Sequence, residues 1–324
     1  RRALAAALAT SLSLSLPVAP AEAQQLSSSP EFEALLARYA PGVDPDQVRA
    51  LGVLAALVAS IAIAIPMVKN GKVTSPSREH THSLQVDGRN RTYDVVLPRS
   101  FDSEKSYPVV LGFGGWHHTS GNMHDYSNLE SQFPDAIVVY GQGVDNAWGG
   151  APYADTSIDE DVAYTKAVLN DVASRYNADT SRTVAVGLSN GGGMVAALAC
   201  RAPETVRGVA SVAGAFYSPT VAGCTSGEVP TMIMHGTNDG VVRYDGGFRH
   251  GAPFESVENV ARTFARKNDC SMVASQSRSG SITTFDFENC SAPVRIERVE
   301  GGGHTWFDSP DATRQTAQFL RRYL

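Results

Sequence analysis

Three short stretches hold residue types that can perform nucleophilic chemistry together. In T-V-A-V-G-L-S-N-G-G-G-M-V-A-A-L-A, residues 183–199, an apolar β-branched run turns at Gly187-Leu188-Ser189-Asn190-Gly191 and resumes as a segment of good helix formers. A strand that feeds a helix through G-x-S-x-G thrusts its central serine out at the strand end. The flanking positions need glycine because a Cβ there would collide with the neighbouring strand or helix. The next amide, that of Asn190, then sits at a helix N-terminus, where an oxyanion can be received. No other serine in the chain has glycine at both flanking positions.

A partner acid and base follow in chain order. V-P-T-M-I-M-H-G-T-N-D, from Val229 to Asp239, is an apolar strand that ends in a polar turn with an acid. V-R-I-E-R-V-E-G-G-G-H-T-W places His304 in a glycine-rich loop after an alternating strand. In such a set His304 takes the Ser189 proton as the oxygen attacks an ester carbonyl, while Asp239 fixes the imidazole tautomer and stabilises the cation. His117, His118 and His124 form the only histidine cluster. They occupy a stretch without a partner acid at a recognised ligand spacing, so they are read as loop polarity rather than as a metal site. No C-x-x-C spacing exists to hold zinc.

The elements that must position these residues alternate strand and helix. Two alternating strands around Asp87-Gly88 predict an antiparallel hairpin. Y-P-V-V-L-G-F-G-G-W and A-I-V-V-Y-G-Q-G read as buried strands, and Ser157-Ile158-Asp159-Glu160 as a capping box. The helix behind that box turns Ile158, Val162, Leu169, Val172 and Tyr176 to one face. After the Ser189 turn come G-V-A-S-V-A-G-A-F, the acid-bearing strand, a helix near residues 254–268, two late strands and a final amphipathic helix from about Ala312. The alternation predicts an α/β fold, a doubly wound and mostly parallel sheet with an N-terminal antiparallel hairpin.

The chain has 324 residues, 43% of them hydrophobic and 19% charged, with a net charge of -6. That balance excludes a nucleic-acid role, which needs a basic face. Residues 1–23 read as an export signal, with Arg1 and Arg2, an apolar core and Ala21-Glu22-Ala23 as the cleavage site. Residues 24–78 read as a helical extension and linker, and residues 79–324 as the catalytic domain. Within the extension, residues 50–68 lack any charge. A helix apolar all round must be buried in protein or lipid, and the expectation is association with a lipid layer or a partner outside the cytoplasm. Cys200, Cys224, Cys270 and Cys290 suit an exported protein. The simplest of their three possible pairings is 200 with 224 and 270 with 290, although sequence alone does not decide connectivity.

From about residue 80 onward the sequence resembles the secreted esterases grouped with poly(3-hydroxybutyrate) depolymerases, feruloyl esterases and acetylxylan esterases. The resemblance rests on G-L-S-N-G-G-G-M, on H-G-T-N-D followed by V-V-R-Y-D-G-G, and on G-G-G-H-T-W. It implies an α/β-hydrolase fold without a metal or organic cofactor, and it matches Ser189, Asp239 and His304 to nucleophile, acid and base. His235 matches a family position and is read as architectural. One departure stands out, because Phe113 occupies the place of a histidine that usually precedes the glycines of this loop. A backbone N–H serves an oxyanion whatever its side chain, so the second oxyanion amide is expected from Gly115, with Trp116 as the alternative. Trp116 and Trp148 are expected to line the substrate cleft as an apolar wall, with Trp306 and Tyr244 as further contacts.

The reading that follows is an exported serine carboxylic-ester hydrolase, placed in the envelope or the medium. It would act through an acyl-enzyme on a polysaccharide, phenolic or polyester-type ester. An envelope acyltransferase of the mycolyltransferase type, using the same three residues on a sugar acceptor, is the alternative. A third reading is a non-catalytic envelope-binding module, against which the complete set of three residues stands.

Overall fold

The computed structural model describes residues 78–324, preceded by a pairing of two-residue strands, Val68–Lys69 with Lys72–Val73. The expected export signal and the apolar segment up to residue 67 lie outside the described residues. The stretch expected to be linker gives way to the sheet at Glu79, where the first strand begins.

Strands β1 (Glu79–Val86) and β2 (Arg89–Val96) form the expected hairpin, with Val86 opposite Arg89. Asp87 and Gly88 close it with φ of 49° and 76°. Positive φ at both central residues is the tight turn whose twist suits paired strands. The chain then runs through β3 (Tyr107–Phe113), α1 (Ser120–Ser127), β4 (Ile137–Gly141), α2 (Ile158–Tyr176), β5 (Ala178–Leu188) and α3 (Asn190–Arg201). It continues through β6 (Val209–Val212), β7 (Thr231–Gly236), a small hairpin β8 (Gly247–Arg249) and β9 (Ala252–Phe254), and α4 (Val257–Lys267). Strands β10 (Ala274–Ser279), β11 (Ile282–Phe287) and β12 (Val294–Val299) and helix α5 (Ala312–Leu320) complete it.

The large sheet has the order β10-β11-β12-β7-β6-β5-β3-β4-β2-β1. It is parallel from β12 to β4 and antiparallel at both margins. Strand periodicity divides the core into two layers. Val109, Leu111, Ala185 and Ile233 face α2, α3 and α4, whereas Val110, Val184, Val186 and Met232 face α1 and α5. This is a doubly wound α/β fold, and the parallel strands end together at one rim, where loops collect.

Helix α1, a third late strand and the β8–β9 hairpin depart from the sequence reading. Helix α1 occupies part of the stretch read as a histidine-rich loop. Its cap is Thr119, whose hydroxyl accepts from Asn122 N at 3.1 Å while Asn122 Oδ1 accepts from Thr119 N at 3.0 Å. Asparagine replaces the usual acid in that box, and only Met123 and Ser127 of the helix are buried, so no apolar period marks it. Three late strands stand where two were expected, because β10 is almost wholly exposed and polar. The capping box of α2 is present, but its buried face also contains Asp161, Tyr164 and Thr165. Disulfides join Cys200 to Cys224 and Cys270 to Cys290.

Candidate active site

Ser189 sits between β5 and α3 with φ 54° and ψ -117°, a conformation that non-glycine residues adopt only when their surroundings enforce it. The enforcement is steric and hydrogen-bonded. A Cβ on Gly187 would lie 2.1 Å from the Gly191 carbonyl oxygen, and one on Gly191 would lie 2.2 Å from that of Phe113. The Ser189 amide donates to Val212 O at 2.9 Å, and its carbonyl accepts from Gly193 and Ala215 at 3.0 and 2.8 Å.

The acid and the histidine reach the same rim on neighbouring strands β7 and β12. Asp239 is 4% exposed, and its Oδ1 accepts from the Val241 and Val242 amides at 2.8 Å each. Its Oδ2 lies 2.7 Å from His304 Nδ1, and His304 Nε2 lies 2.9 Å from Ser189 Oγ. Burial alone would raise the Asp239 pKa, but hydrogen bonds from His235 and His304 and the His304 charge hold it well below the usual carboxylate range. An ionised Asp239 can only accept, so Nδ1–H of His304 donates to it and Nε2 is left to accept the serine proton. The loop of His304 is fastened to the acid's turn by Asn238 N to Gly302 O at 2.9 Å and by Gly301 N to Thr237 Oγ1 at 2.8 Å.

The structure places the expected oxyanion groups around Ser189. Asn190 is the first residue of α3, so its N–H has no acceptor within the helix. The Gly115 backbone packs so closely on the serine that a Cβ there would lie 3.2 Å from Ser189 Cβ. Trp116 lines the cavity, stacked on Tyr153 with ring centroids 4.2 Å apart.

Trp148 and Tyr244 do not line it. Trp148 is 2% exposed and lies beneath the site, its Nε1–H donating to Gly114 O at 2.9 Å and its ring edge-on to Phe113 at 4.9 Å. Its backbone N–H donates to Asn190 Oδ1 at 2.7 Å, and Asn190 Nδ2 donates to its carbonyl at 3.0 Å. The aromatic expected to touch substrate instead ties together the two segments that bring Gly115 and Asn190 to the serine. Phe113, the departure noted in the sequence, is the apolar partner of that buried indole. Tyr244 is likewise buried and faces the His235 ring. Trp306 reaches the cavity while donating its Nε1–H to Thr313 Oγ1 at 3.0 Å.

The histidine cluster is split three ways. His117 stacks on Trp116, His124 pairs with Glu130 Oε1 at 2.7 Å, and His118 lines the cavity beside Ser189 and His304. Tyr153, Tyr217, Arg249 and His250 complete the side of the cavity near Trp116, which has a volume of about 250 Å³. These four come from loops and from the β8–β9 hairpin. Their sequence surroundings give no period or motif that could have marked them.

A family model described as "Putative esterase" matches residues 84–280. The chain belongs to this esterase family. Feruloyl esterase C of Emericella nidulans is similar to it at 31% identity over 233 residues, covering 67% of this chain and 77% of the relative. Feruloyl esterase D of Neurospora crassa is 26% identical over 294 residues, covering 82% and 93%. Among solved structures, an acetyl xylan esterase from Aspergillus awamori matches with a TM-score of 0.58 at 15% identity, covering 74% of this chain and 99% of that one. That last likeness is one of fold. The esterase is a carboxylic ester hydrolase of the α/β-hydrolase type.

Proposed function

We propose that the esterase is an exported serine hydrolase that cleaves a phenolic or short-chain acyl ester of a polysaccharide through an acyl-enzyme at Ser189. The observation that supports this most is the unbroken contact from Asp239 Oδ2 through His304 to Ser189 Oγ, at 2.7 and 2.9 Å. His304 takes the proton as Ser189 Oγ attacks the ester carbonyl, and the carbonyl oxygen becomes an anion between the Asn190 and Gly115 or Trp116 amides. The alcohol leaves with the proton from His304 Nε2. Water then repeats the sequence on the acyl-enzyme and releases the acid.

The Trp116–Tyr153 stack, with His250 edge-on to both at 5.0 and 5.2 Å, offers an aromatic wall to a planar acyl group. The names of the similar fungal enzymes, feruloyl esterases C and D, favour such an acyl group. Two disulfides support export to an oxidising compartment. Association of residues 50–68 with a lipid layer belongs to the same reading, and quantitative release in a carbonate wash would refute it.

The decisive experiment treats the enzyme with a fluorophosphonate, maps the modified residue, and assays feruloyl, acetyl-sugar and p-nitrophenyl esters. Labelling at Ser189, with turnover lost in Ser189→Ala, is expected. Labelling elsewhere, or turnover that survives Ser189→Ala, would overturn the assignment.

A further inference from the structure

We infer that His118 is a substrate-binding residue for the alcohol half of the ester, donating a hydrogen bond from Nε2 to a hydroxyl next to the scissile oxygen. This rests on the Ser189 reading above and extends it. The His118 ring lines the same cavity as Ser189 and His304, and its Nδ1 lies on the Ser189 side of Gly115, 3.7 Å from the place a Cβ would take there. Tyr126 stacks on the ring at 5.1 Å and 26°, which fixes its plane.

Nδ1 is buried without a hydrogen-bond partner among the described residues. An orphaned buried N–H costs more than an orphaned lone pair and is rarer in proteins. The proton of the neutral ring therefore belongs on Nε2, the nitrogen left to meet water or a ligand. Burial, with the charges of His304 and His117 after it, pushes the His118 pKa down and keeps the ring neutral. Neutrality matters here, because His304 becomes a cation during each proton transfer and a second cation in the same cavity would oppose it.

The side of the cavity follows from the chemistry. His304 Nε2 must hand its proton to the departing alcohol, so groups grouped with His304 flank that alcohol. His118 lies beside Ser189 and within reach of the His304 charge. The Trp116–Tyr153 wall forms a separate set of rings and is left for the acyl group.

The test uses two esters of one acid, one of a sugar and one of the same sugar lacking the hydroxyl beside the ester, with intact enzyme and with His118→Phe and His118→Gln. Intact enzyme is expected to prefer the complete sugar ester about fivefold to tenfold in kcat/KM, mostly through KM, the value of one neutral hydrogen bond. His118→Phe should abolish that preference, and His118→Gln, which keeps a donor, should restore at least half of it. Intact enzyme that is indifferent to the hydroxyl, or His118→Phe that retains the preference, overturns the inference. Fluorophosphonate labelling of the same samples separates the two proposals. Enzyme labelled at Ser189 yet indifferent to the hydroxyl refutes His118 alone, and enzyme not labelled there refutes the underlying reading.

Discussion

Asn190 and Trp148 exchange two hydrogen bonds, 2.7 Å from the Trp148 amide to Asn190 Oδ1 and 3.0 Å from Asn190 Nδ2 to the Trp148 carbonyl. The indole of the same tryptophan holds the Gly114 carbonyl. One buried residue thus grips both segments that supply the proposed oxyanion amides. Trp148→Phe keeps the packing on Phe113 and the backbone bonds to Asn190 but frees the Gly114 carbonyl, so the amide of the Gly115 segment loses its fixed aim while the cavity wall stays intact. The expected result is a kcat lower by about tenfold or more, with KM changed less than about twofold. Steady-state kinetics on a p-nitrophenyl ester, with thermal melting to verify folding, measures it. A rise in KM at constant kcat would place the indole in substrate binding after all.

His235 makes a second prediction. It is fully buried, and its Nε2 lies 2.8 Å from Val242 O and 3.2 Å from Asp239 Oδ2. The carboxylate is therefore steadied from behind by one histidine while it orients another. His235→Leu removes that donor and leaves the amides of Val241 and Val242 in place. We expect kcat to fall roughly tenfold with little change in KM, the effect of one hydrogen bond to a charged group. His235→Gln should recover part of it. A kcat equal to that of the unaltered enzyme would reduce His235 to a packing residue.

The disulfide Cys200–Cys224 anchors the far end of α3, whose first residue follows Ser189. It spans 24 residues of sequence, and the chain-entropy model assigns such a closure about 3 kcal/mol. Replacing both cysteines by serine should lower the urea-unfolding free energy by about that amount. The second bridge, Cys270–Cys290, ties the end of α4 to the turn after β11 and lies apart from the Ser189 elbow. Its removal should cost similar stability while leaving turnover at low temperature intact. Loss of turnover at low temperature on removing Cys270–Cys290 would contradict this.

How much of this was legible beforehand depends on whether neighbours in sequence or neighbours in space set a residue's role. The elbow at Ser189 was legible because its glycines and the strand before it are local requirements. The convergence of Asp239 and His304 on Ser189 was legible because each lies in a turn just past a strand, an apolar one for Asp239 and an alternating one for His304. Trp148 was misread for the opposite reason. Its position after β4 suits a cleft wall, but its indole is drawn inward by the Gly114 carbonyl, 34 residues away in sequence, and by the Phe113 ring. The same holds for Asp161, which no motif marked. It is fully buried and accepts from Arg91 at 2.8 Å, Gly149 N at 2.7 Å and Thr156 Oγ1 at 2.7 Å, and it thereby fixes the loop that contains Trp148. His118 is indistinguishable in sequence from its two histidine neighbours, which the left-handed backbone at His117 and the start of α1 after Thr119 send in different directions.

Glu297 supplies a prediction about pH. It lies on β12 opposite Met234, 3% exposed, with Oε2 unpartnered among the described residues. Arg295 is 3.8 Å away but is held by Asp286 through two contacts of 2.7 and 2.9 Å, so it neutralises Glu297 only in part. Burial pushes the carboxyl from 4.5 up to about 7. A raised carboxyl pKa means the folded state binds more protons than the unfolded chain between those two values. Stability therefore falls as pH rises through that window and is level above it. Glu297→Gln cannot titrate, and it fills the same space. Urea unfolding of both proteins at pH 4.5 and pH 8 should show the unaltered enzyme losing about 3 kcal/mol relative to the variant between the two conditions. Parallel pH profiles would mean that water or a local rearrangement solvates the carboxylate. An excess loss in the variant would mean that Glu297 is ionised in the fold and that Arg295 is its true partner.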